Sequence, residues 1–354
     1  MNRKRVTSQD VAERAGVSRT TVSLVLNNVQ NIRIGSETRQ KVLDAAHELG
    51  YVPDAAAQAL ASRRTKAIGL VLTRTQHHIA TDAFLPKIIS GLLTTARKQN
   101  ITIMIDWIET EHSEGAYFEM VRAKRIDGII LSTPRLDDKA LRMLEQYDVP
   151  AVLMGRLEGL HMPFVDVDNA QAAEKATQHL LELGHKEIAF ISNAPPEYSS
   201  SPDRVRGYQT ALKKQGLTPN PELRRYADFD PESGYEQMKD LLQSKVPFTS
   251  AFVASDNVSI GAKAAIREAG LRVPEDISLV GFDDIPWARY SDPPLTTVRL
   301  PAEELAQEAC LLLVDLIQNP HNAERRSEIT LETELIVRQS CQELPKDASP
   351  GKFN

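Results

Sequence analysis

The residues of this sequence best suited to chemistry read polar surfaces rather than break bonds. Arg19 and Thr20 follow directly on Ala15-Gly16-Val17-Ser18. An arginine in the first turn of a helix presents a planar fork that can bond both acceptors of a guanine edge, a discrimination of about 1–3 kcal/mol. The plainer use of Arg19 is a phosphate contact. Much further along, Arg204 opens a helical segment and Asp283 closes an apolar run. Together they offer a rigid set of donors and a pair of acceptors, which suits the vicinal hydroxyls of a sugar. Their plainer roles are pairing with a neighbouring carboxylate for Arg204 and capping of the next turn for Asp283. Covalent chemistry has no comparable foothold: there is no glycine-rich phosphate loop, no HExxH, no GxSxG and no metal-spaced His/Cys cluster. The eight histidines are scattered apart from His77-His78. No enzymatic activity, cofactor or metal is expected, and Cys310 and Cys341 read as ordinary reduced thiols.

The elements that must position these residues follow from local signals. Thr7 with Asp10 three residues on has the form of a capping box, opening a segment with apolar Val11, Ala12 and Ala15 that stops at Gly16. Ser18 caps a second helix with Val22, Val25 and Leu26 on one face. Ser36 starts a third, carrying Val42, Leu43, Ala46 and Leu49, with Gly50 as its stop. The first two, joined at Ala15-Gly16-Val17, make a helix-turn-helix. Pro53 to Ala61 is alanine-rich and short, a linker helix that about nine residues cannot hold alone in water.

From Ala67 onward, apolar runs alternate with amphipathic helices, the mark of parallel sheets covered on both faces. The predicted strands are Ile68–Leu72, Ile101–Ile105, Gly128–Leu131, Ala151–Met154, Ile188–Ser192, Ser250–Ala254 and Ile277–Phe282. Between them lie the helical segments Leu85–Gln99, Ala170–Leu183, Arg204–Gln215 and Ile260–Ala269. So many units exceed one open sheet, so two similar lobes with a ligand cleft between them are expected, at the carboxyl ends of the strands. The fold class is thus an N-terminal all-α helix-turn-helix domain joined to a two-lobed α/β core.

Charge is distributed in keeping with this division. Residues 1–66 hold 11 Lys and Arg against 6 Asp and Glu, whereas the remainder holds 31 against 42. A basic head on an acidic body fits a phosphate-binding footprint, although a merely solvated basic face would look the same. No apolar run reaches the roughly 18 residues of a membrane span, and the first residues lack a signal-type apolar stretch, so no membrane association and a cytoplasmic location are expected.

The run Val6-Thr7-Ser8-Gln9-Asp10-Val11-Ala12-Glu13-Arg14-Ala15-Gly16-Val17-Ser18-Arg19-Thr20-Thr21-Val22-Ser23 resembles the signature of lactose-repressor-type (LacI/GalR) regulators. So does the linker Tyr51-Val52-Pro53-Asp54-Ala55-Ala56-Ala57-Gln58-Ala59-Leu60-Ala61. Val165-Asp166-Val167-Asp168-Asn169, Leu183-Gly184-His185, Asp203-Arg204-Val205-Arg206-Gly207-Tyr208, Val280-Gly281-Phe282-Asp283-Asp284 and Pro293-Pro294-Leu295-Thr296-Thr297-Val298 match in family order. The resemblance implies a core like that of periplasmic sugar-binding proteins. It divides the chain into a DNA-binding domain at 1–50, a hinge at 51–66, a first lobe at 67–168 and 300–330, a second lobe at 169–299 and 331–342, and a tail at 343–354. It also implies that the strand near Thr297 returns to the first lobe and a last strand near Leu335 to the second.

By the same resemblance, Ser8, Ser23, Asn27, Arg33 and Thr38 are phosphate contacts, and with Thr7, Ser18, Arg19, Thr20, Leu24, Ala57 and Leu60 they form the expected DNA-binding set. Leu60 wedges into a central base step of the minor groove, where small neighbours such as Ala57 leave the approach open; otherwise it is a packing residue. Two departures from the pattern matter. Asp54 stands where asparagine is usual and would repel phosphate, though it can cap the linker helix. Leu24 stands where many members place arginine, and can touch a thymine methyl but not donate to guanine. Phe229 matches an aromatic that stacks on a sugar ring. Thr73, Phe84, Arg156, Arg204, Phe229, Ser255, Asp256 and Asp283 are the expected effector-binding residues, and Asp168 is read as a helix cap.

The expected function is that of a homodimeric repressor of a near-palindromic double-stranded operator, switched by a small molecule, a saccharide by preference. A tetramer is not expected, because the tail lacks heptads. Two other readings stand beside it within the family: a nucleobase-responsive repressor, and a global regulator controlled by a partner protein. A transport-type sugar-binding protein would share the core but neither the basic head nor the missing secretion signal.

Overall fold

The computed structural model describes residues 6–27, 34–54, 58, 59, 62, 64–108, 113–320 and 328–344. The chain divides into two compact units, Met1–Lys66 and Ala67–Asn354.

The first unit is three helices around a small core. In α1 (Ser8–Ala15), the Thr7 hydroxyl accepts from the Asp10 amide at 3.3 Å while the Asp10 carboxylate takes the Thr7 amide at 2.7 Å, a complete capping box. The helix ends at Gly16, whose φ of +66° costs glycine nothing and nearly any other residue some strain. In α2 (Arg19–Leu26), the Ser18 hydroxyl accepts from the Thr21 amide at 3.1 Å. Helix α3 (Ser36–Glu48) completes the unit. Val11, Ala12, Val22, Val25, Val42, Ala45 and Ala46 are buried together, with Leu26, Leu49 and Tyr51 against them. Leu43, expected on the buried stripe, is 43% exposed, so Ala45 takes the place it was given. At the start of the linker the Asp54 carbonyl accepts from the Gln58 amide at 2.9 Å.

The second unit holds two six-stranded sheets. The first comprises β1 (Ala67–Leu72), β2 (Thr102–Trp107), β3 (Gly128–Ser132), β4 (Ala151–Met154), β5 (Phe164–Val167) and β11 (Glu328–Leu331), in the order β11-β5-β4-β3-β1-β2. The second comprises β6 (Ile188–Ser192), β7 (Arg224–Tyr226), β8 (Ser250–Val253), β9 (Ser278–Asp283), β10 (Thr296–Arg299) and β12 (Glu334–Ile336), in the order β12-β10-β9-β8-β6-β7. All pairings are parallel except β12 against β10. Fully buried strands such as β3, β4 and β8 read as unbroken apolar runs because helices cover both faces.

In chain order, the first sheet is served by α4 (Gln76–Thr81), α5 (Leu85–Gln99), α6 (Ser113–Arg122) and α7 (Lys139–Gln146). The second is served by α8 (Asn169–Glu182), α9 (Ser200–Lys214), α10 (Pro231–Gln243) and α11 (Asp256–Glu268). Helix α12 (Ala302–Gln318) crosses back onto α5 and strands β3 to β5 of the first lobe. The strand at Thr297 does not return to the first lobe. It is β10, which pairs with β9 through Thr297 and Gly281 and so belongs to the second sheet; the crossing comes after it, at Leu300-Pro301. The strand at Leu335 does join the second sheet.

Two predicted helices begin early. Helix α9 starts at Ser200, which places Arg204 a full turn inside it, and α11 starts at Asp256 rather than Ile260. Their first turns are polar, so apolar periodicity alone did not mark them. Asp168 caps α8, its carboxylate accepting from the Gln171 amide at 2.8 Å. Among the described residues, no helix is long and apolar enough to cross a membrane, and no group of three or more His, Cys, Asp or Glu is arranged to hold a metal ion.

Candidate functional site

Two surfaces carry the polar chemistry, one in each unit. In the first unit, Ser18, Arg19, Thr20 and Ser23 are exposed along α2, and Leu24 is half-buried beside them. The Nε of Arg19 donates to the Ser8 hydroxyl at 3.1 Å. Among the described residues this is its one hydrogen bond, and it aims the guanidinium while leaving both Nη groups for a nucleic acid. Asn27 donates to the Ser23 hydroxyl at 3.2 Å and accepts from the Gln58 side chain at 3.0 Å, which ties the linker to the end of α2. Thr7 and Ser18 spend their hydroxyls on caps, so what they present outward is the amide-rich start of a helix, a natural phosphate seat. Thr38 is half-buried in the first turn of α3. Arg33, Ala57 and Leu60 lie outside the described residues.

In the second unit, a cleft of about 110 Å³ lies between the two lobes at the carboxyl ends of their strands. Five of the eight expected effector residues line it: Phe84, Arg204, Phe229, Ser255 and Asp283. Arg204 is buried, with its guanidinium 3.8 Å from the centroid of the Phe282 ring; Nε donates to Asn169 at 3.0 Å and Nη1 to the Ala254 carbonyl at 2.6 Å. Nη2 makes no hydrogen bond among the described residues. Asp283 ends β9 at a φ of +111°, followed by Asp284 at +51°, and lines the cleft. Burial pushes the Asp283 carboxyl up from 3.8 to about 6, with the Arg204 charge and a hydrogen bond from Ser255 working against the rise. Asp166 rises to about 6 for the same first reason, and burial lowers Arg204, opposed by Asp283 and Asp166.

Phe229 also has a positive φ, +66°, held by its amide on the Asn193 carbonyl at 2.8 Å. Its ring meets the edge of Tyr198 at 4.8 Å between centroids.

Three expected effector residues do not line the cleft. Thr73 is buried; its hydroxyl donates to the Thr133 carbonyl at 2.9 Å, and its own carbonyl takes the Tyr198 hydroxyl at 3.1 Å. Arg156 is exposed, with its guanidinium 5.6 Å from the Phe164 ring; its neighbour Gly155 is the residue that reaches the cleft. Asp256 is fully buried, accepting from the Thr297 hydroxyl at 2.6 Å and the Ile285 amide at 2.9 Å, so both carboxylate oxygens are already engaged. Burial, with Asp283 adding to it, raises the Asp256 carboxyl well above its ordinary range. It supports the Asp283 turn from beneath rather than facing a ligand.

The sequence reading missed Arg74, Asp82, Asp166, Asn169, Asn193 and Asn257, all of which line the cleft. The signal for Arg74 was one residue away. Just past the end of β1, Thr73 is buried while Arg74, one residue on, lines the cleft. Asn257 donates across the lobes, to the Thr81 carbonyl at 3.0 Å as well as to the Phe229 carbonyl at 2.9 Å. Such a role has no local sequence mark.

The sequence model "Bacterial regulatory proteins, lacI family" matches residues 7–54, and that of a "Periplasmic binding protein-like domain" matches residues 177–341. The chain is 34% identical over 345 residues to the HTH-type transcriptional regulator CelR of Thermobifida fusca, covering 96% of this chain and 99% of that one. It is 35% identical over 345 residues to the HTH-type transcriptional repressor PurR of Klebsiella pneumoniae, covering 96% and 98%. Among solved structures, a CelR–cellobiose complex superposes with a TM-score of 0.72 at 33% identity over 95% of this chain and all of that one. The lac repressor dimer bound to operator and the anti-inducer ONPF superposes with a TM-score of 0.81 at 29% identity, over 96% and all of it. A capped helix-turn-helix with an outward arginine, a two-lobed core with a polar cleft, and near full-length identity to these regulators lead to one assignment: the chain belongs to the lacI family of bacterial regulatory proteins, helix-turn-helix transcriptional regulators with a periplasmic-binding-protein-like effector domain.

Proposed function

We propose that this protein is a homodimeric transcriptional repressor of a near-palindromic operator and that its effector is a saccharide bound between the lobes of the core. The observation that carries the effector reading is that Arg204, Asp283 and Phe229 line the same cleft, with the charges of Arg204 and Asp283 acting on one another. A fork of donors, a carboxylate acceptor and one aromatic ring match the hydroxyls and C–H face of a sugar. The CelR–cellobiose complex is a relative of this chain with a saccharide bound, which supports the same direction.

The dimer reading draws on the lac repressor, a relative of this chain solved as a dimer on its operator. Repression then works by population shift: the effector binds one lobe arrangement better than the other, and the arrangement decides whether the two linkers can fold on DNA.

Calorimetry on the full chain tests the effector reading. The protein binds a mono- or disaccharide, and Arg204→Ala abolishes that binding while gel-shift affinity for the operator stays within about threefold of wild type. Saturable binding of a nucleobase with no sugar response sinks the saccharide and leaves the repressor.

A further inference from the structure

The first lobe brings its own arginine–aspartate pair to the cleft. Arg74 follows β1 and is mostly buried; Nη1 bonds the Asp82 carboxylate at 2.6 Å and Nη2 donates to the Thr133 hydroxyl at 2.7 Å. Asp82 is fixed in turn, since its other oxygen accepts the amides of Phe84 and Leu85 at 2.7 and 3.2 Å. The pair is therefore locked to the start of α5, and the guanidinium carbon lies 4.1 Å from the centroid of the Phe229 ring of the second lobe. Arg74 and Asp82 are near enough to Asp283 for each to act on its ionisation, and Arg74 near enough to act on Arg204. Each lobe thus offers one arginine and one aspartate to a common small space, ion-paired in the first lobe and acting on each other's charge in the second.

We propose that Arg74, held by Asp82 and Thr133, is a second effector-recognition group, and that the two facing Arg/Asp pairs select a single neutral sugar ring carrying hydroxyls at both ends. This rests on the saccharide reading and narrows it. A cleft of about 110 Å³ lies well below the roughly 300–1,000 Å³ of pockets for drug-sized ligands, so it suits the smallest saccharides best. A carboxylated or phosphorylated sugar meets a carboxylate beside each arginine, so a neutral ring is preferred. Recognition from both lobes also ties binding to their closure, because neither pair completes its contacts unless the lobes approach.

The test is calorimetry on the full-length chain with D-glucose, D-galactose, D-ribose, D-fructose, glucose 6-phosphate, cellobiose and adenine. Wild type binds one of the neutral monosaccharides at least tenfold more tightly than cellobiose or glucose 6-phosphate. Arg74→Ala weakens that monosaccharide at least tenfold with operator affinity unchanged. The double variant Arg74→Ala/Asp82→Asn does the same without leaving a buried carboxylate unpaired, and its Tm stays within a few degrees of wild type. If both variants bind the monosaccharide within threefold of wild type while Arg204→Ala abolishes binding, the saccharide reading stands and the role of Arg74 is overturned. Preference for cellobiose overturns the single-ring selection alone. A wild type that binds no sugar overturns both.

Discussion

Asp283 carries a cost that its position explains. Its carboxyl is raised from 3.8 to about 6, chiefly by burial, so the folded chain holds this proton more tightly than the unfolded chain does. The unfolded state ionises first as pH rises, and stability falls between about pH 4 and pH 6; above pH 6 the full cost, about 3 kcal/mol at 1.36 kcal/mol per pH unit, is present. Asp283→Asn removes an ionisation that the folded state disfavours. Its Tm should therefore exceed that of wild type at pH 8, and thermal melts should show the gap narrowing towards pH 5. A gap of the same size at both pH values would mean that Asp283 is not titrating in this range. That a site residue is less stable ionised than its neutral counterpart is what ligand recognition asks for: an acceptor stripped of water and waiting for hydroxyl donors.

Arg204 can occupy the cleft because of how its helix packs. Gly207 lies one turn on from Arg204, and α9 runs against α8 so closely that a Cβ at this position would sit 2.0 Å from the Ala170 carbonyl oxygen. Backbone at that distance cannot give way as a flexible side chain would, so Gly207→Ala must push the two helices apart. The expected cost is more than about 2 kcal/mol, in the range of an overpacked core, read as a lower urea midpoint for the core. Sugar affinity should fall with it, because displacing α9 carries the Arg204 guanidinium away from Asn169, which holds its Nε at 3.0 Å. A variant that melted like wild type would mean that the helices accommodate the methyl, and the packing account of Arg204 would be wrong. At the other end of the chain the same economy of scale applies in reverse: the recognition helix is set by one hydroxyl, the Ser18 cap, and by a seven-residue buried cluster.

At the scale of the molecule, the proposed dimer would present two copies of the helix-turn-helix on a twofold axis to two like half-sites. Footprinting should show two protected half-sites related by near-palindromy, and sedimentation should give a dimer. Arg19→Ala should relax preference at one base pair in each half, equally in both; loss confined to one half, or a single asymmetric footprint, would contradict the twofold arrangement. The acidic body and basic head make this binding salt-sensitive, since only residues 1–66 carry an excess of Lys and Arg.

The sequence by itself determined what acts over a few residues. The capping box at Thr7 and Asp10, the stop at Gly16, the Ser18 cap, the strand Ala151–Met154 and the helix Leu85–Gln99 were all legible, because caps, turns and periodic burial are decided within one or two turns of chain. So was the family, because its motifs are local too. The tertiary structure decided which polar residues share a space. Thr73 and Arg74 differ by one position, yet the first is buried and the second lines the cleft; Asp256 reads as a ligand-facing residue until its carboxylate is found accepting from Thr297 and Ile285. The strand at Thr297 took its place from pairing with β9, 16 residues away in the register Thr297–Gly281. The Arg74–Phe229 contact joins residues from different lobes. Such contacts are set by the packing of whole sheets and helices, which no local pattern encodes, and the cleft is made almost entirely of them.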